Sequence, residues 1–167
     1  GLLKSLFIII IFLFAFGEVI RIPFAGFSIK LIDVGIAALT AYWVLFGAIN
    51  LKKIKIDKKR GIPILIFFAA ALLSLVLNAR FLNINELFVS SLYLIRWITY
   101  ASIIFIIPMF DNSFKKIIIK LMMLIGVFII VLGYVQYLFY PNLRNLYYLG
   151  WDEHLYRLFS TFLDPNF

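Results

Sequence analysis

The 167-residue sequence is 65% hydrophobic and only 14% charged, with a mean hydropathy of +1.06. A soluble domain is near half apolar and a quarter charged, so this composition leaves no solvated surface and excludes an ordinary soluble globular protein. The absence of cysteine excludes disulfides and thiol chemistry, and the net charge of +8 belongs to topology-setting loops rather than to a nucleic-acid partner.

A membrane-spanning helix needs about 20 mostly apolar residues. Runs of this kind predict spans at Ser5–Ile20, Leu31–Ile49, Ile62–Leu77, Leu87–Ile107 and Ile117–Phe139. The first follows Lys4 and is similar to a secretory signal, but four further spans favour an uncleaved signal-anchor helix. The third is short, and either tilts little or extends to Arg80. The fold class expected is an all-α polytopic integral membrane protein: a five-helix bundle over residues 1–139, then an external interfacial segment over 140–167 that leads into a sixth span.

The loops set the orientation. One side holds Lys4, Lys52, Lys53, Lys55, Lys58, Lys59, Arg60, Lys115, Lys116 and Lys120; the other holds Arg21, Lys30, Arg80, Arg144 and Arg157. The positive-inside rule makes the first side cytoplasmic, which puts the N-terminus inside and Tyr140 onward outside. Tyr134, Tyr137 and Tyr140 fit an interfacial belt at the outer end of the fifth span. Tyr42 and Trp43 lie within the second span, where packing between helices suits them better.

Arg96 falls near the middle of the fourth span. An arginine there costs about 2.5–3.5 kcal/mol on insertion scales, so it must face a partner, a wet cavity or the interface. It reads as a substrate phosphate contact, as a clamp with Asp33, or as a snorkelling side chain. Gln136, Thr99, Ser90, Ser91 and Ser74 read as ordinary interhelical hydrogen-bonders.

Past Leu143 the pattern becomes amphipathic, which predicts one or two short interfacial helices broken near Gly150, with Asp152 as a cap. Asp164-Pro165 suits an N-cap followed by the first helical position, so a further helix is expected from there. Arg157–Phe162 would then be a short connector at membrane depth. Arg157 could bind phosphate oxygens through its fork of donors, or serve only as an interfacial anchor. His154 stands beside Asp152 and Glu153, but three adjacent residues on one short element converge poorly on an ion, so no metal site is expected. There is no phosphate-binding glycine loop, nucleophile elbow or HExxH pattern. Gly1 in place of Met, and a stop at Phe167 just past a turn signal, make the sequence read as a fragment.

The string Arg157-Leu158-Phe159-Ser160-Thr161-Phe162-Leu163-Asp164-Pro165-Asn166 resembles the motif of the O-antigen ligase and O-antigen polymerase superfamily. That motif has an Arg, a small-residue/Thr/Phe stretch, and a Pro-Asn that opens the next helix. Gly133-Tyr134-Val135-Gln136-Tyr137 also looks like that family, and Ser160 departs from it where a Gly is usual. The resemblance implies a multi-span transferase in the bacterial cytoplasmic membrane. Such an enzyme moves a glycan from an undecaprenyl-diphosphate carrier to a lipid, glycan or protein acceptor at the outer face, as in lipopolysaccharide biosynthesis. It implies no cofactor. Arg157 matches the arginine expected on the diphosphate, with Arg96 and Arg80 as further cationic candidates and Ser160, Thr161, Pro165 and Asn166 as motif positions. No catalytic base is assigned, since the family expects it on a later external loop. A transporter or flippase of similar architecture, or a non-catalytic scaffold, are the competing readings.

Overall fold

The computed structural model describes residues 1–17, 19–24, 27–49, 57–140, 158 and 160–162. They form helices α1 (Leu2–Ala15), α2 (Leu31–Ile49), α3 (Lys58–Asn78), α4 (Ile84–Ile106) and α5 (Asn112–Phe139). Between α1 and α2 lie strands β1 (Arg21–Phe24) and β2 (Phe27–Lys30), and 3-10 turns occupy Ile107–Met109 and Ser160–Phe162.

Among the described residues three helices are long and apolar enough to cross a membrane: α3, α4 with its extension to Met109, and α5. At 1.5 Å per residue the 21 residues of α3 cover about 32 Å, close to the hydrocarbon thickness of about 30 Å. The 14 residues of α1 cover only about 21 Å, and the apolar stretch Leu31–Phe46 of α2 is also below that length.

Local chemistry explains where the elements start and stop. The first expected span ran to Ile20, but α1 ends at Ala15 because Gly17 adopts φ +52 and its N–H donates to Phe14 O at 3.0 Å. Glycine enters this left-handed region without a Cβ penalty, which closes a helix. Arg21–Phe24 and Phe27–Lys30 are extended, contrary to an all-α fold. β1 and β2 pair antiparallel in the register Arg21↔Lys30, Ile22↔Ile29, Pro23↔Ser28 and Phe24↔Phe27. Asp57 caps α3 by accepting from Lys59 N–H at 3.0 Å, so that helix starts before the expected Ile62 and ends at Asn78, short of Arg80. A reciprocal capping box between Asn83 and Glu86, 2.9 Å in each direction, starts α4 before the expected Leu87.

The chain divides into two compact units, 1–35 with 112–167, and 36–111. In the first, α1 packs on α5. Phe7, Ile10, Ile11 and Ala15 of α1 are buried, as are Phe114, Ile125 and Gly133 of α5, and Lys4 Nζ sits 5.1 Å from the Phe114 ring centre. In the second, α4 meets both α2 and α3. Trp43 of α2 is buried, stacks nearly parallel on Phe105 at 6.2 Å and donates from Nε1 to Met109 Sδ at 3.2 Å. Phe67 of α3 and Trp97 of α4 have ring centres 4.4 Å apart. No residue of α3 is buried, as suits a helix whose solvent is lipid.

Thr40 joins α2 to α4. Ser102 Oγ donates to Thr99 O at 2.7 Å, which leaves it an acceptor for the Thr40 hydroxyl at 2.8 Å. Thr40 Oγ1 also lies 2.9 Å from Ile36 O and 3.2 Å from Thr99 O. Thr40→Val is expected to weaken the fold by about 0.6–1.7 kcal/mol, the range for a hydroxyl between membrane helices. Reversible unfolding in mixed micelles would check it, and an unchanged midpoint would assign the contact no net value. Ser91 and Thr99 turn onto their own helix rather than across to a neighbour as expected. Ser91 Oγ donates to Leu87 O, Thr99 Oγ1 to Arg96 O, and Gln136 Nε2 to Tyr140 O.

Candidate functional site

The most informative local geometry lies in the first unit, around the Ser160–Phe162 turn. Ser160 has φ +45, a left-handed conformation that an L side chain rarely adopts. Its Oγ donates to Ile129 O of α5 at 2.7 Å. One helical turn further along α5 is Gly133, where a Cβ would overlap Leu158 Cδ2 and lie 3.4 Å from Ser160 Cβ. On the other side stands Gly17, whose Cβ would lie 2.6 Å from Thr161 O. Phe162 meets Phe14 of α1 edge to face at 5.4 Å between ring centres. The Thr161 hydroxyl is buried here without a hydrogen-bond partner.

Of the residues singled out from the sequence, Ser160 and Thr161 therefore sit together in the first unit. Arg157, Pro165 and Asn166 lie outside the described residues, as do His154, Asp152 and the expected interfacial helices of 143–157. Arg80 and Arg96 belong to the second unit. Arg80 is exposed in the turn after α3, with its guanidinium 4.6 Å from the Phe81 ring centre. Arg96 is half-buried at the thirteenth of the 23 positions of α4, 5.5 Å from the Tyr100 ring centre. These are cation–ring contacts within one short stretch of chain, and they orient both guanidinium groups.

Sequence reasoning missed Gly17, Gly133, Phe14 and Ile129 as neighbours of the motif. It also missed the hairpin, whose register sets Arg21 directly opposite Lys30. Burial lowers the Arg21 pKa from its usual value, though a guanidinium remains charged at neutral pH. Two like charges opposite each other on a ladder are unfavourable by roughly 0.2–1 kcal/mol.

In the second unit, a groove of about 430 Å³ between α3 and α4 is lined by Phe67, Ala71, Ser74, Asn78, Tyr93 and Trp97, among others. Its wall is chiefly apolar and aromatic, as befits a face at membrane depth. No group of His, Asp and Glu able to hold a metal ion occurs among the described residues.

Mostly helical described residues, with three helices of membrane-crossing length and apolarity among them, define a multi-pass membrane protein. Compared with known proteins, it matches no family model, no curated protein and no solved structure.

Proposed function

We propose that this chain belongs to a membrane glycan transferase of the O-antigen ligase or polymerase kind. It would move a glycan from an undecaprenyl-diphosphate carrier to a lipid or glycan acceptor at the outer face of a bacterial cytoplasmic membrane. The observation that carries this reading is the agreement between motif and backbone at Ser160. The resembled motif usually has glycine there, and Ser160 holds φ +45, which glycine enters freely. The Arg157–Asn166 string and the apolar helices before it support the same reading.

In this chemistry the acceptor hydroxyl oxygen bonds to the anomeric carbon and its proton passes to a base. The bond from that carbon to the diphosphate oxygen breaks, and the lipid diphosphate leaves. Charge develops on the leaving group, so a cation fixed beside it lowers the barrier. Arg157 takes that role in our reading, and Arg80 and Arg96 stay weaker cationic candidates. The test is surface-glycan profiling of cells that carry the intact protein, wild type against Arg157→Ala, with membrane levels matched. Loss of the transferred glycan with build-up of its lipid-linked precursor is expected. An unchanged profile would move a transporter or scaffold role ahead.

The proposed topology counts α1 and α2 as spans beside α3, α4 and α5, with the N-terminus cytoplasmic. Reporters joined after residue 56 are expected to read cytoplasmic, and reporters joined after residue 82 external. The basic cluster Lys52, Lys53, Lys55, Lys58, Lys59 and Arg60 is the cause, and replacing all six by Gln should scramble the pattern. A uniform reporter signal on both sides of α3 would overturn the arrangement.

A further inference from the structure

We propose that Gly17 and Gly133 form a two-sided seat for the Ser160–Phe162 turn, and that Gly17, Gly133 and Ser160 are positioning residues for the transfer reaction. The inference rests on the glycan-transfer reading above, because Arg157 is joined by one peptide bond to Leu158, a residue of the seat. Nothing in the Arg157–Asn166 string points to either glycine as its support, since they lie 143 and 27 residues before Ser160 and Ser160 Oγ reaches α5 only in the fold.

The seat is built from mutually dependent close approaches. At Gly17, a Cβ would lie 2.6 Å from the carbonyl oxygen of Thr161 and 2.9 Å from its carbon. Both are backbone atoms that cannot rotate away, and φ +52 independently disfavours any L side chain at this position. At Gly133 the obstacle is instead the tip of the Leu158 side chain, which can be removed by substitution. Between the two glycines, Ser160 is bent into a left-handed conformation and tied by its hydroxyl to Ile129 O. The buried, unpartnered hydroxyl of Thr161 adds a second unfavourable feature at the same place. Unfavourable features of this sort persist where packing over-determines them, and they gather at sites whose geometry the function needs.

The seat thus fixes the chain on both sides of residue 159: Leu158 against Gly133, and Ser160–Phe162 against α5 and α1. Displacing it would move the backbone that carries Arg157. Misplacement by about 1 Å of a group that orients reacting atoms costs on the order of 100-fold in rate.

The experiment uses the full chain carrying no other cysteine. A Phe14→Cys/Phe162→Cys pair, whose parent rings lie 5.4 Å apart, reports the seat through a short bifunctional thiol reagent. A Lys4→Cys/Phe114→Cys pair reports the packing of α1 on α5 away from it. Gly17→Ala is expected to abolish the 14–162 cross-link, preserve the 4–114 cross-link and lower glycan transfer about 100-fold. Gly133→Ala is expected to lower both the 14–162 cross-link and transfer, and adding Leu158→Ala should restore both by removing the atoms in the way. Full transfer in Gly17→Ala despite a lost 14–162 cross-link would reduce the seat to packing. Failure of Leu158→Ala to restore Gly133→Ala would overturn the proposal even if Gly17→Ala disturbs the whole unit. If Arg157→Ala leaves the glycan profile unchanged, the transferase reading fails, while the two cross-links still report the seat's geometry.

Discussion

On the proposed glycan-transfer reading, Arg157→Ala in the intact protein is expected to lower transfer by about 100- to 1,000-fold at unchanged membrane level, the usual cost of losing one preorganised donor to developing charge. The magnitude follows from the leaving group. A diphosphate ester that departs from a sugar gains negative charge on its bridging oxygen in a medium where few waters can share it. A guanidinium presents two parallel N–H donors to two phosphate oxygens, and it stays protonated at any accessible pH. Arg157→Lys keeps the charge but not the fork, so it is expected to retain only a small part of the activity. Precursor accumulation separates this outcome from an export defect, because a transfer block leaves the lipid-linked glycan on the outer leaflet. A variant that transfers normally would leave Arg157 as an anchor at the membrane interface.

Much of the helical frame was legible because lipid imposes a simple demand. Every backbone polar group at membrane depth must be satisfied within its own segment, so long apolar runs become helices with little dependence on their neighbours. This is why α3, α4 with its extension to Met109, and α5 cover the runs read from the sequence, with the starts of α3 and α4 extended by caps. Those caps were also readable: Asp57 precedes α3, and Asn83-Ile84-Asn85-Glu86 has the spacing of a capping box. The misreading of the first span has an equally local origin. The apolar run continues through Phe16-Gly17, where glycine is a helix stop signal, and the four-residue runs flanking Ala25-Gly26 have the spacing of a hairpin.

The candidate site was legible at its motif and illegible at its supports. Ser160 and Thr161 stood out by their place in a string, whereas Ile129 and Gly133 look like any residues of an apolar helix. Only the fold brings Ile129 O within 2.7 Å of Ser160 Oγ. Trp43 shows the intermediate case. Its position inside a span suggested packing between helices, and the structure supplies the partners, Phe105 and Met109. Intrahelical bonds from Ser91 and Thr99 went the other way. A hydroxyl in a membrane helix finds the carbonyl three or four residues before it sooner than it finds a neighbouring helix.

Arg96→Leu is expected to have effects of opposite sign on insertion and on function. Arg96 stands twelve residues after Ile84 and ten before Ile106, about 18 Å and about 15 Å from the two ends of α4. With a hydrocarbon core of about 30 Å this is the midplane, where arginine costs about 2.5–3.5 kcal/mol and leucine gains about 0.3–0.6. The substitution should therefore favour insertion of α4 by roughly 3–4 kcal/mol in a glycosylation-mapping assay. A charge that makes its own helix harder to insert must return something in the assembled protein. If Arg96 contacts substrate phosphate, transfer falls in Arg96→Leu while the amount of folded protein holds or rises. This is the expected result. A clamp between helices predicts instead that folded yield and transfer fall in step. Arg96→Lys sharpens the contrast, since it keeps the charge for a clamp but loses the paired donors a phosphate uses. Unchanged transfer in Arg96→Leu would remove Arg96 from the proposed substrate contacts.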